Sequence, residues 1–288
     1  MRNLLLLVLC LPLVACVIGS NDPGTTGDDD GSGSNPLPDG TITGLITTDA
    51  TWTGVVRIGR TNNAPTRIES GVTITVSPGA ELKFVGGAGL EIQGTLKIQG
   101  TSAGKVQLSP ETGNFFGGLT VVGAPTAGKL EMTYAVMKGG AISTSAGSTS
   151  TIIDSKMFGA SGDLLIMNGG TVTMSYSQIG ADLADGPDGT HCNIHTGGNA
   201  NTISITRSNI NGVPYGLMLY GGQNAILTNN NWYGNSTADV DTQPGVSADL
   251  SGSYFDGPPP VAGTGATLTL ANLALAKLID AGVGAVRP

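Results

Sequence analysis

Charge is what this sequence lacks most. Charged residues make up 12% of the 288, about half the ~25% usual in a soluble domain. A helical bundle needs Lys and Glu on its outer faces, so this shortage argues against one. Basic charge is scarcer still, with 13 Lys and Arg against 21 Asp and Glu and a net charge of −8. A nucleic-acid partner is excluded, because such binding needs Lys and Arg to neutralise phosphates. Glu does not occur after Glu131, so the second half shows no paired-carboxylate constellation of the glycosidase kind. Cysteine is limited to Cys10, Cys16 and Cys192, too few for a disulfide framework. In contrast, glycine is abundant: 46 residues, more than double the usual ~7%. With so many Thr, Ser and Asn around it, this reads as short strands joined by frequent turns, an all-β chain.

The one long apolar run opens the chain. "MRNLLLLVLCLPLVAC" carries Arg2, an apolar stretch from Leu4 to Leu11 and small residues before Cys16. It is too short to span a bilayer and matches a secretory signal. "LVAC" (13–16) resembles the lipobox of bacterial lipoproteins. That resemblance implies cleavage of 1–15 and acylation of Cys16 as a stable membrane anchor; the alternative is an ordinary signal with an incidental cysteine. Val17 stands where Asp favours inner-membrane retention in enterobacterial lipoproteins, so the lean is to the outer membrane, on its periplasmic or cell-surface face. Residues 16–40 are Gly, Ser and Asp-rich and read as a flexible tether.

The body repeats. "MTYAVMKGG" (132–140), "IDSKMFGAS" (153–161), "MSYSQIGAD" (174–182), "ITRSNINGV" (205–213) and "LTNNNWYGN" (227–235) align without gaps. First positions (Met132, Ile153, Met174, Ile205, Leu227) and sixth positions (Met137, Phe158, Ile179, Ile210, Trp232) are apolar. Steps of 21, 21, 31 and 22 residues indicate a solenoid. Two or three strands per coil and no helical stretch make it a parallel β-helix, with apolar residues stacked inside and polar ones outside. "GVTITVSPGAELKF", "LEIQGTLKIQGT" and "FFGGLTV" resemble the opening coils of secreted bacterial β-helix proteins of the pectate-lyase-like superfamily. The resemblance covers residues 50–256 and implies a right-handed solenoid of about seven coils. It marks fold and not chemistry. The expected organisation is signal 1–15, anchor and tether 16–40, β-helix with N-terminal cap 41–256 and capping segment 257–288. Residues 266–286 are expected to pack back as a strand and a short helix, or to serve as a contact surface for another envelope protein.

The irregular step of 31 falls on "DLADGPDGTHCNIH" (182–195), which makes 182–191 an insertion between coils, where solenoids often bind. Asp182, Asp185, Asp188, His191 and His195 are the candidate ligands for calcium or zinc, although their spacing matches neither the calcium-loop nor the HExxH pattern. A solvated turn built by Asp and Gly is the competing reading, and no cofactor is the default expectation. Cys192 reads as a buried filler, with no activating base beside it. Tyr215, Tyr220, Tyr233 and Asn211 are candidates for carbohydrate binding, since aromatic faces stack on sugar rings and amides bond hydroxyls. Trp232 belongs to the apolar column. The functional expectation is a lipid-anchored envelope protein with a non-catalytic scaffold, adhesion or polysaccharide-binding role. The alternatives are a lyase or hydrolase at 182–195 with Arg207, and a subunit of a surface complex.

Overall fold

The computed structural model describes residues 37–186, 189–197, 201–222 and 224–287; the leader, Cys16, the tether to residue 36 and Asp188 lie outside them. The chain winds into a parallel β-solenoid of about nine coils. Each coil lays one strand in each of three sheets of 10, 9 and 10 strands. Coil 6 shows the plan: Asp163–Asn168 in the first sheet, Gly170–Ser175 in the second, Gln178–Ile179 in the third. Pairing between coils is parallel throughout, apart from a short antiparallel hairpin at Arg60–Thr61 and Ala64–Ile68. With ~4.8 Å between stacked strands, nine coils make a rod about 38 Å long.

Strand alternation explains the core. In the third sheet Leu82, Leu108, Met137, Met157, Ile179, Ile210, Trp232 and Phe255 sit in continuous register, all buried. Their outward neighbours carry the polarity. Trp232 stacks on Phe255 with ring centroids 6.0 Å apart, which confirms it as core. Burial of each large side chain contributes about 1.5–3 kcal/mol against exposure.

The corner between second and third sheets carries a feature of its own. Tyr134, Asp154, Tyr176, Arg207 and Asn229 each take a left-handed conformation with φ between 47° and 57°. For Tyr and Arg this is uncommon, at roughly 1–2 kcal/mol per residue. The next residue offsets the cost. Ser155 Oγ accepts from Ala135 N (3.1 Å), Ser177 Oγ from Ser155 N (3.2 Å) and Ser208 Oγ from Ser177 N (3.2 Å). Asn230 Oδ1 accepts from Ser208 N (2.9 Å) and Ser253 Oγ from Asn230 N (3.1 Å). These buried side chains add inter-coil hydrogen bonds at the bend, beside main-chain bonds such as that from Tyr134 N to the Ile153 carbonyl.

This column corrects the repeat alignment. The register pairs Met132 with Ile152 and Ile152 with Met174, and Met137 with Met157 and Met157 with Ile179. The inward residues of the second block are therefore Ile152 and Met157, not Ile153 and Phe158, and Asp154 is a corner residue. The doublets Ile152-Ile153 and Met157-Phe158 made both frames equally apolar. "LSGSYFDGP" (250–258) is a sixth block, with Leu250, Ser253 and Phe255 buried.

Two further expectations change. Nine coils replace seven, because the segment that reads as an N-terminal cap already winds: Leu45–Ile46, Ala50–Trp52 and Val55–Ile58 form a complete first coil. The C-terminal segment packs back but has no helix; Thr267–Thr269 adds to the second sheet. The chain then returns along the third sheet as a strap. Leu278 exchanges two hydrogen bonds with the Asn231 amide, at 2.7 and 3.0 Å. Arg207 pairs with Asp280, and Arg287 with Asp154. The Gly-rich sequence of 282–284 suits close backbone approach better than a helix.

Replacing Ser208 with Ala leaves the buried Ser177 N–H without its acceptor. The expected cost is about 1–3 kcal/mol, read as a lower urea midpoint. Ser208→Asn, the residue that coil 8 uses at this place, should recover part of it.

Candidate functional site on the first sheet

Gly180 is where the chain leaves the rod. Its φ is 109°, and a Cβ there would lie 1.7 Å from the Asn211 carbonyl oxygen, so only glycine lets the insertion depart. The chain then forms a single 3-10 turn, Leu183–Asp185, closed by a capping box in which the Asp182 and Asp185 side chains bond each other's backbone. Lys156 Nζ bonds Asp185 at 2.6 Å and Asp182 at 3.4 Å. Asp182 also accepts from Gln178 Nε2 (2.9 Å), Asn211 Nδ2 (3.2 Å) and the Tyr233 hydroxyl (3.2 Å). Burial raises the Asp182 carboxyl, but the Gln178 hydrogen bond and the Lys156 charge outweigh it and hold the group below the ordinary 3.8. Burial, then the Asp182 charge, pushes Tyr233 up, so its hydroxyl stays a donor. This part of the insertion is a braced turn with its acids satisfied, presenting Leu183 fully to solvent.

The histidines belong to a different group. His191 and His195 share one carboxylate: His191 Nδ1 lies 3.1 Å from Asp163 Oδ1, and His195 Nδ1 lies 2.7 Å from Asp163 Oδ2. Side-chain exposure is 52% for His191, 32% for His195 and 17% for Asp163, so the carboxylate is sheltered and the rings face out. The four-residue spacing does put both histidines on one side of the chain. Coil 8 adds two rings: Tyr215 packs on His191 with centroids 5.2 Å apart, and Tyr220 meets His195 edge-on at 5.3 Å. Tyr220 donates to Asp241 Oδ2 of coil 9 at 2.5 Å. Burial, then the Asp241 hydrogen bond and charge, raises Tyr220 to about 12. The result is a continuous polar and aromatic surface over coils 6 to 9 of the first sheet.

The sequence grouping is thus redistributed. Asp182 and Asp185 sit with Lys156 on the third-sheet side, His191 and His195 with Asp163 on the first sheet, and Asp188 lies outside the described residues. The four described residues do not form one ligand set, and among the described residues no group of three or more His, Cys, Asp or Glu could hold a metal ion. The carbohydrate candidates divide as well: Tyr215 and Tyr220 join the histidines, while Tyr233 and the buried Asn211 join Asp182. Arg207 is engaged by Asp280. Cys192 is a free, fully buried thiol, pushed up to about 12 by burial and the Asp163 charge, which suits a filler and not a nucleophile. Asp163, Asp241 and Lys156 were not legible as site residues. The signal was register: Asp163 pairs with Cys192 one coil away, so the insertion hid it at a separation of 28 residues from His191.

Known family models, curated proteins and solved structures give no match to this chain. The parallel β-solenoid is the part of the pectate-lyase-like resemblance that the fold bears out.

Lys156→Met should free the Leu183–Asp185 turn without unfolding the rod. Proteolytic nicking within 182–190 is expected to speed up several-fold, with a global stability loss under about 1 kcal/mol for these part-exposed pairs. Wild type should open the same turn in acid. The folded Asp182 value is depressed, so its contribution is full above 3.8 and lost as pH falls through the lower folded value. Hydrogen exchange of the Asp185 amide, followed below pH 4, tests this.

Proposed function

We propose that this protein is an envelope β-solenoid, held to the outer membrane by an acylated Cys16, that binds polysaccharide without turning it over. The binding surface is the first sheet over coils 6 to 9. One observation carries the reading: the paired rings His191–Tyr215 and His195–Tyr220 stand on the exposed face of a rigid sheet. Such rings offer sugar faces large contact area at low entropic cost, and their flanking polar atoms can bond hydroxyls. A rigid scaffold reduces the ordering cost of binding. A passive role is supported by the way the acids are spent, since Asp182 and Asp185 are tied to Lys156, both Asp163 oxygens to histidines, and Asp241 to Tyr220.

A second reading, docking on another envelope protein, is favoured by the strap: Leu275, Ile279 and Val286 point fully outward, while its charged side chains turn to the rod.

The test is titration with a panel of polysaccharides. Tyr215→Ala/Tyr220→Ala should weaken binding at least ten-fold with unchanged thermal midpoint, and Tyr134→Ala, at a different corner, should not. Retained affinity in the double variant would remove this surface from the proposal. Release of an acyl-modified Cys16 peptide, identified by mass spectrometry of the membrane fraction, tests the anchor.

A further inference from the structure

Charge is segregated around the rod. From coil 4 onward the first sheet comprises Gly118–Val121, Ile142–Ser145, Asp163–Asn168, Cys192–Thr196, Tyr215–Leu219 and Ala238–Thr242. None of these six strands contains Lys or Arg. After Lys138 the chain has four such residues, Lys156, Arg207, Lys277 and Arg287, and all four are engaged elsewhere. Lys156 holds Asp182 and Asp185, Arg207 holds Asp280, and Arg287 holds Asp154. Lys277 sits 3.4 Å over the Tyr233 ring. The first sheet keeps acids in their place: Asp163 of coil 6, and Asp239 and Asp241 of coil 9.

We infer that the first sheet selects a sugar polymer bearing free amines, an amino-sugar chain without N-acetyl groups, over neutral and acidic polysaccharides. The inference rests on the glycan-binding reading above and names the class of glycan.

These carboxylates are fixed in advance, Asp239 by the Asn235 amide at 2.7 Å. Asp163 is held by two imidazoles, and Asp241 by the Tyr220 hydroxyl. A carboxylate has roughly four acceptor positions, so Asp241, engaged at one oxygen, retains capacity for an incoming ammonium, while the sheltered Asp163 contributes its charge from beneath the two imidazoles. Tyr215 and Tyr220 add ring faces that attract cations. The local field is already negative: the Asp163 charge helps raise Cys192, and the Asp241 charge helps raise Tyr220. A polyuronate would meet these acids with no Lys or Arg in these strands to compensate. The sites are three coils apart, about 14 Å along the rod, so the match is to an oligomer and not to a single sugar. A basic peptide fits less well. Peptides are gripped at a sheet edge or in a groove, and Asp163–Asn168, Cys192–Thr196 and Tyr215–Leu219 are interior strands, paired on both sides.

The experiment is calorimetric titration of the full chain at pH 6.5 and low salt, with hexamers of glucosamine, N-acetylglucosamine and galacturonate, and with hexalysine. The glucosamine hexamer is expected to bind at least ten-fold more tightly than its acetylated counterpart. That preference should shrink with salt and disappear in Asp163→Asn/Asp241→Asn. Asp241→Asn alone, at the outer surface, should remove part of the preference and guards against misfolding of the double variant. Equal affinity for the acetylated hexamer, or preference for galacturonate, overturns this inference and leaves glycan binding standing. Binding of hexalysine without any sugar, or of none of the four, overturns both.

Discussion

A strand in a parallel sheet can satisfy its backbone only along its two edges, and in a solenoid the partners on those edges are the coils before and after it. Every turn of this chain must therefore match its neighbours residue for residue on three faces at once. The apolar columns meet that demand inside the rod, where a one-residue slip would turn every inward side chain out. At the corner between second and third sheets the backbone meets it only in part, because one left-handed residue bends the chain there. The Ser and Asn column supplies the missing acceptors, and so holds the frame on which both polar clusters are built.

That frame explains why the insertion at 182–191 does not disturb the stack. It leaves from Gly180 and rejoins at Cys192, and the strands on either side keep the same pairing as their neighbours. Its near end is braced against Lys156 of coil 5, and its far end delivers His191 and His195 to the carboxylate of Asp163. Ten extra residues in the chain thus produce two groups on different faces. One is internally neutralised and the other is an open surface of rings and acids.

Much of the architecture was legible. The all-β class, the parallel solenoid, the inserted loop and the core position of Trp232 follow from composition and period. The second block slipped by one because Ile152-Ile153 and Met157-Phe158 are apolar in both frames. The fourth-position Ser or Asn would have arbitrated, but its role is a hydrogen bond to the next coil, which has no hydrophobic signature. The first coil reads as a cap in the sequence because its strands are as short as two residues, Leu45–Ile46, and too short to show alternation.

The sequence by itself determined the period, the inward and outward faces of most strands, and the place where the period breaks, because these depend on spacing along one chain. Only the tertiary structure decided which acids serve the histidines, that Lys156 closes the turn at Asp182, and that the C-terminal strap draws Arg207 and Arg287 onto the third sheet. Those contacts join residues 26 to 133 positions apart. Their geometry is fixed by coil register, which is a relation between turns and is written in no single one of them.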